Sequence, residues 1–460
     1  MITRVDRSRL PALGPDSVFR FPDIAHHTLG NGLKVRTVEH PGVPVITLVM
    51  QIDGGLGADS AGREGLAAMT ADMVDEGTGS LSAIDVSDAL ARIGGEYDVE
   101  VGADATIFTL TTLTQFAGRG AKLLSEMLTA PTMRDADFER VRQLRLDRLR
   151  QLKDLPPAVA ERAVLRLLYP SHPYGHLAIG TDVALRSVAR EDVVRFHAAT
   201  FLPWRATLIV VGALSHSDLL TVADHAFGNW TGEERVLDLP SSAADFVADI
   251  ATSPQLAVVP REGAAQSELR LGHLSARRDT PDYPALLVMN AILGGQFVSR
   301  LNMKLREQKA FTYGVRTGFD WRRGIGPFSV QTSVHTAATA ESISDALTEM
   351  SDLRGGRPAT AEEMAVAQAS LTRGYPRNFE IAQQVARSVG QLALFDLPDT
   401  YFEEFVPKVN AVTAADVTRV AQTYLDPGRA IALVVGDRKA TEDSLNRLGF
   451  AEMHVLPPTG

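Results

Sequence analysis

Carboxylates, imidazoles and one glycine-rich turn are the groups whose spacing in this chain bears on chemistry. Asp72, Asp75 and Glu76 stand at i, i+3 and i+4 and share a helical face. Such a set could hold Ca²⁺ or Mg²⁺ weakly, but Gly77-Thr78 closes the helix and no fourth oxygen donor is apparent. They are expected to be solvated carboxylates near a helix end. His172 and His176 form an H-x-x-x-H pair, which on a helix presents two imidazoles to one metal. Pro173 and Gly175 argue for a loop there, where that spacing loses its meaning. Gly54-Gly55-Leu56-Gly57 lacks the helix opening and the acidic partner of a dinucleotide-binding loop. The absence of Cys excludes disulfides, thiolate nucleophiles and thiolate metal sites. No Ser/His/Asp constellation for nucleophilic catalysis stands out.

The bulk properties narrow the partners. Lys and Arg number 46 against 56 Asp and Glu, a formal charge of -10, which argues against nucleic acid because phosphate contacts need a basic surface. The Arg-rich run from Arg134 to Arg150 reads as the solvated face of a helix. A hydrophobic fraction of 45% with 22% charged residues is that of an ordinary soluble globular protein, and 460 residues are enough for about two or three domains. Near the start, Arg4, Asp6, Arg7, Arg9, Pro11 and Pro15 leave no apolar run of signal-peptide length, and no later run is long enough to span a bilayer. No membrane partner is expected. The location expected is cytoplasmic if residue 1 is the native start, with the periplasm left open.

The elements that position these groups come in two copies. Val188-Ala-Arg-Glu-Asp192-Val193-Val-Arg195 leads through Pro203-Trp-Arg205-Ala206 to Leu208-Ile-Val210-Val211-Gly212. Val412-Thr-Ala-Ala-Asp416-Val417-Thr-Arg419 leads in the same way through Pro427-Gly-Arg429-Ala430 to Ala432-Leu-Val434-Val435-Gly436, without a gap between the copies. Each ends in an acidic helix start, a Pro/Arg exit and an apolar buried strand. Thr28 to Val35 predicts a hairpin around Asn31-Gly32, followed by a strand over 45–52. Further strands are expected over 97–101, 106–112, 268–274, 313–319 and 327–334. Helices are expected near 63–76, 83–93, 116–128, 135–153, 157–168, 282–293, 297–309, 340–354 and 360–373, the second opened by a Ser82/Asp85 capping box. Hairpins mixed with helix pairs indicate α+β domains, each a mainly antiparallel sheet covered by helices on one face. The boundaries read as a first domain over 1–231, a linker over 232–254 that contains Pro240-Ser241-Ser242, and a second domain over 255–460.

Three local phrases, together with the repeat, give the chain a resemblance to the pitrilysin/insulinase family of zinc metallopeptidases over nearly its whole length. Gly65-Leu66-Ala67-Ala68-Met69-Thr70-Ala71-Asp72-Met73-Val74-Asp75-Glu76-Gly77-Thr78 resembles the segment around the inverted zinc motif H-x-x-E-H. In that motif two His four apart bind the metal from one helical face and the Glu polarises the attacking water. Here the three places are Ala68, Ala71 and Asp72. The helix from Phe138 to Pro156 resembles the one that supplies the third ligand, a Glu, and the matching place is Arg148, or Asp147 if the register slips by one. A guanidinium there repels a dication. Ser171-His172-Pro173-Tyr174-Gly175-His176 is similar to the family's loop before the repeat-ending helix.

A second segment keeps what the first has lost. Gly294-Gly295-Gln296-Phe297-Val298-Ser299-Arg300-Leu301, running into Leu305-Arg306-Glu307 and Thr312-Tyr313-Gly314-Val315, resembles the stretch whose Arg and Tyr bind the substrate backbone near the scissile carbonyl. The resemblance places Arg306 and Tyr313 in these roles, with the family's spacing of seven. It implies two α/β-sandwich halves in one unit, and a chain that binds no metal and is inactive alone. Such a chain is expected to act as the substrate-binding subunit of a heterodimer, with zinc in a paralogous partner that carries H-x-x-E-H and a peptide as substrate. The alternative is a proteolytically silent scaffold or core subunit of a larger complex. A displaced metal site is the third possibility.

Overall fold

The computed structural model of the protein describes residues 19–232 and 255–457, together with Ser8. The linker expected over 232–254 lies, apart from Gly232, outside the described residues.

Val45–Asp53 is mostly apolar and buried without a break from Ile46 to Ile52, as expected of a strand covered on both faces, and it lies inside the first sheet. Its strands begin with β1 (Ala25–Thr28), β2 (Lys34–Glu39) and β3 (Val45–Asp53). A short ribbon, β4 (Gly77–Thr78) and β5 (Leu81–Ser82), stands apart, and β6 (Glu96–Val101), β7 (Ala105–Leu113) and β8 (Ala206–Gly212) complete the sheet in the order β1-β2-β8-β3-β7-β6. The predicted hairpin is present: Gly32 has φ +89°, and the Leu33 amide donates to the Asn31 side chain. The second sheet consists of β9 (Gln255–Pro260), β10 (Gln266–Ala276), β11 (Val315–Phe319), β12 (Gly326–His335), β13 (Ile431–Gly436) and β14 (Met453–Val455), in the order β14-β9-β13-β10-β12-β11. Laid side by side, β2-β8-β3-β7-β6 and β9-β13-β10-β12-β11 are one topology. Gly212 and Gly436 close equivalent strands, so the repeat in sequence is a repeat in space. Pairing is mainly antiparallel, with parallel exceptions at β2/β8, β9/β13 and β9/β14.

Five helices of the first half matter below: α1 (Leu66–Asp72), α2 (Ala83–Arg92), α3 (Ala117–Thr129), α4 (Asp135–Lys153) and α5 (Pro156–Leu168). Helix α2 opens with the predicted Ser82/Asp85 capping box. Odd and even residues of the central strands serve different cores. Ile46, Leu48, Met50, Leu208 and Val210 pack with Leu124 and Leu128 of α3. On the other face, Val49, Ile209 and Val211 join the core that contains Val385, Ala386 and Val389, which come from a helix of the second half, Ala382–Leu394. The exchange is reciprocal. Val159, Ala160, Ala163 and Val164 of α5 pack against Ile431, Leu433 and Val435 of β13. Each sheet is thus covered by its own helices on one face and receives a helix of the other half on the opposite face. Burying one such side chain contributes about 1.5–3 kcal/mol, so the exchange fastens the halves into one unit.

Polar contacts finish the junction. Arg323 pairs with Asp53 at 2.9 Å, its amide donates to Asp104, and the Tyr169 hydroxyl donates to the Ile325 carbonyl at 2.6 Å. Among the described residues no helix is long and apolar enough to cross a membrane.

Candidate functional site

Helix α1 is shorter than the predicted 63–76. It is anchored at its start by Asp59, which is buried and accepts from the amides of Gly65 and Ala67, both at 2.7 Å, and from His176 Nε2 at 2.9 Å. Asp59 thus satisfies orphan amides at the helix N-terminus and holds the His172–His176 loop against it. Gly65, with φ +95°, touches Gly180, and a Cβ on Gly65 would lie 2.8 Å from the Gly180 Cα. In the loop, His176 Nε2 is held by Asp59 and His172 Nδ1 accepts from the Tyr174 amide at 3.1 Å.

Ala68 and Ala71 are buried and offer no donor atom. Asp72, at the end of α1, is ion-paired with Arg145 of α4, and the same guanidinium donates to the Ala178 carbonyl. Arg148, the place of the third ligand, is exposed and donates to Gln151 at 3.2 Å. Its neighbour Asp147 accepts from Gln143 at 3.0 Å and pairs with Arg150. The cation that meets the emptied helix is therefore Arg145, one turn before the position the sequence indicates. Most of the Arg-rich run is surface as expected, but Arg145 is buried. Among the described residues no three His, Asp or Glu side chains come together in a way that could hold a metal ion. The residues present on α1 and α4 do not fit zinc.

The carboxylates after α1 depart from the expectation of solvated groups on one helical face. The helix stops at Asp72, so Asp75 and Glu76 lie in the turn that leads into β4. Glu76 pairs with Arg140. Burial pushes the Asp75 carboxyl up to about 6, and the nearby Glu76 and Asp72 charges add to this, against a backbone hydrogen bond and Arg140.

The segment that carries Arg306 and Tyr313 is the connection between β10 and β11. A helix over Tyr283–Asn290 widens into a π-helical turn over Ala291–Gly295, and a second π-helical segment spans Asn302–Gln308. Gly294 lets the first turn lie against β11, since a Cβ there would stand 2.4 Å from the Thr317 Cγ2. Asn302 clamps the second segment to the strand: its Nδ2 donates to the carbonyls of Gln296 and Val315, and its Oδ1 accepts from the Val315 amide at 2.9 Å. Arg306 sits in the last turn of this segment and Tyr313 just before β11, the places the sequence indicates.

These two side chains share a cleft of about 720 Å³ with Glu268, Phe297 and Gln331. Tyr313 is 92% exposed. The Arg306 guanidinium carbon lies 3.9 Å from the Phe297 ring centroid, and its Nε is 3.6 Å from Glu307. It makes no hydrogen bond to a described residue. Sequence reasoning missed Arg145, Asp59, Asn302 and Phe297. Only Asn302, a polar residue among Leu301, Met303 and Leu305, carried a visible signal.

Comparison with known proteins gives matches in both halves. Residues 34–182 match the family described as insulinase (peptidase family M16), and residues 187–371 match the peptidase M16 inactive domain. An uncharacterized zinc protease of Mycobacterium tuberculosis is 24% identical over 428 residues, covering 92% of this chain and 95% of its own length. One from Bacillus subtilis is 20% identical over 411 residues, 89% of this chain and 98% of its own length. The mitochondrial-processing peptidase subunit beta of Rattus norvegicus is 22% identical over 295 residues, 63% of this chain and 58% of that protein. Among solved structures, a peptidase M16 inactive domain from Pseudomonas fluorescens superposes with a TM-score of 0.83 at 22% identity, covering 90% of this chain and 98% of that one. A protease from Helicobacter pylori does so with a TM-score of 0.84 at 19% identity, covering 90% and 99%. At these identities the structures establish the shared fold. Matched by an M16 description in each half, the chain belongs to the insulinase family of peptidases.

Proposed function

We propose that this chain is the non-catalytic, substrate-binding subunit of a heterodimeric zinc metalloendopeptidase. It would bind no metal itself and would supply Arg306 and Tyr313 to the zinc site of a paralogous partner that carries H-x-x-E-H. The observation that carries the reading is the contrast between α1 and the Arg306/Tyr313 segment. On α1 the ligand places are Ala68, Ala71 and an Asp72 already neutralised by Arg145, whereas the Arg306 guanidinium and the Tyr313 phenol are left open at a cleft. An open guanidinium can donate to a peptide carbonyl, and a phenol can donate to the oxyanion that forms when the carbonyl is attacked. One relative is itself named as a subunit, which favours an assembly of unlike chains.

The test is reconstitution. The chain is mixed with its zinc-bearing paralogue and hydrolysis of an unfolded peptide is followed. Activity should require both chains, and Arg306→Ala or Tyr313→Phe should lower turnover by about tenfold or more without changing the zinc content of the complex. Full activity of both variants would overturn the reading.

A further inference from the structure

Phe297 stands where packing does not require it. Its ring is 60% exposed in the turn between the two π-helical segments, and it faces the cleft shared by Arg306 and Tyr313. What the ring does touch is the Arg306 guanidinium, at 3.9 Å. The way Arg306 is held differs from the way its neighbour Arg300 is held. Arg300 is buried, pairs with both oxygens of Glu363 at 2.6 and 2.8 Å, and donates to the carbonyls of Arg357 and Pro358. Four of its five N–H groups are committed to the fold. For Arg306 the anchors are an aromatic face and Glu307 at 3.6 Å, beyond hydrogen-bonding distance.

Attraction between a cation and an aromatic face acts through the ring quadrupole and uses no N–H group. Stacking therefore fixes the plane of a guanidinium and leaves its donor edge free, which hydrogen bonding to a carboxylate cannot do. A freely rotating Arg side chain would give up about 2 kcal/mol of rotamer entropy on binding, and a ring that restricts it beforehand lowers that cost. We propose that Phe297 is the positioning residue for Arg306, holding the guanidinium over the cleft so that its free edge meets the backbone carbonyls of an extended peptide. This inference rests on the peptide-binding reading of Arg306, and the experiment separates the two.

Two readouts on the full chain are needed. The Arg306 Nε–Hε resonance in the free protein reports stacking, through its ring-current shift and its order parameter. Fluorescence anisotropy with a fluorescein-labelled, unfolded casein peptide reports binding. Arg306→Ala should weaken binding about tenfold. Phe297→Leu, which keeps an apolar side chain but removes the aromatic face, should mobilise Arg306 and weaken binding about fivefold, while Phe297→Trp should stay within about twofold of the wild type. The double variant Arg306→Ala/Phe297→Leu should bind no more weakly than Arg306→Ala alone. The exposure of Phe297 predicts unchanged melting temperatures for its variants. An unshifted Arg306 resonance in Phe297→Leu would overturn the proposal. So would an equal further loss in the Arg306→Ala background, because the ring would then be touching the peptide itself. If Arg306→Ala binds like the wild type, the peptide-binding reading falls, and the resonance still decides whether Phe297 holds the guanidinium.

Discussion

Replacing Arg145 by Ala tests whether a guanidinium now holds together the region around α1. This side chain is buried, pairs with Asp72 and donates to the Ala178 carbonyl, so it ties α1, α4 and the segment after His176 to one another. Removing it leaves a carboxylate and a carbonyl without their donor. Hydrogen bonds to charged groups are worth about 1.5–3 kcal/mol each, but the Asp72 side chain is 43% exposed, so water recovers much of that share. Taking about 1 kcal/mol for Asp72, about 1–1.5 for Ala178 and about 1 for the lost packing of the aliphatic stem, Arg145→Ala should cost about 3–3.5 kcal/mol. Arg145→Met keeps most of the stem and should cost about 2 kcal/mol. Asp72→Ala should cost about 1 kcal/mol and couple to Arg145→Ala by a similar amount. Urea unfolding followed by circular dichroism at pH 7.5 measures all four variants, the double included. A loss below about 1 kcal/mol for Arg145→Ala, or a coupling near zero, would refute the reasoning.

Asp75 predicts a pH-dependent substitution effect. Its folded pKa of about 6 lies above the ordinary 3.8, so the folded state holds the proton more tightly, and this contribution to stability declines between about pH 4 and pH 6. Asp75→Asn should therefore stabilise the chain at pH 7.5, by about 1 kcal/mol after allowing for partial solvent access, and gain little at pH 4; equal gains at both pH values in urea midpoints would contradict this. For zinc, the triple variant Ala68→His/Ala71→Glu/Asp72→His should hold well under one ion per chain after dialysis, because Arg145 still faces the site and the third ligand is missing. Adding Arg145→Leu and Arg148→Glu should raise the content toward about one by elemental analysis, and tight stoichiometric zinc in the triple variant would overturn the account.

What was legible in the sequence was the part fixed by local rules. The gapless repeat became one strand order used twice, the Asn31-Gly32 turn and the Ser82/Asp85 cap formed as written, and Arg306 and Tyr313 came out at a segment end and a strand entry. Where tertiary contacts decide, the reading failed. Helix α1 was expected to run to residue 76, but Gly77 takes φ +136° and its neighbour Thr78 bridges to Pro131, so the chain turns out early and carries Asp75 and Glu76 off the helix. The helix Ala382–Leu394 went unseen because it packs against the sheet of the other half, a partner that no local pattern announces. Strands β9 and β14 pair in parallel near a sheet edge and carry no hairpin signal. For Phe297, composition would suggest core, and only the fold shows the ring at the surface.

Charge balance distinguishes α1 from the Arg306/Tyr313 cleft. Around α1, three carboxylates remain in a partly buried neighbourhood. Arg145 answers Asp72 and Arg140 answers Glu76, both from α4, while Asp75 makes no ion pair among the described residues and meets its burial by holding a proton up to about pH 6. Two of these three charges are thus paired within the chain, and the third is held unpaired above about pH 6. At the Arg306/Tyr313 cleft, Glu307 is the only anion paired with Arg306 among the described residues, it stands 3.6 Å away, and its side chain is 45% exposed, so screening by water leaves the guanidinium incompletely neutralised. Tyr313 adds a phenol in full contact with solvent. The fold pairs two of the three carboxylates near α1 with arginines, yet leaves an arginine and a tyrosine open at one cleft. This asymmetry favours a subunit that contributes outward over a merely degenerate enzyme, and the reconstitution with Arg306→Ala and Tyr313→Phe tests it directly.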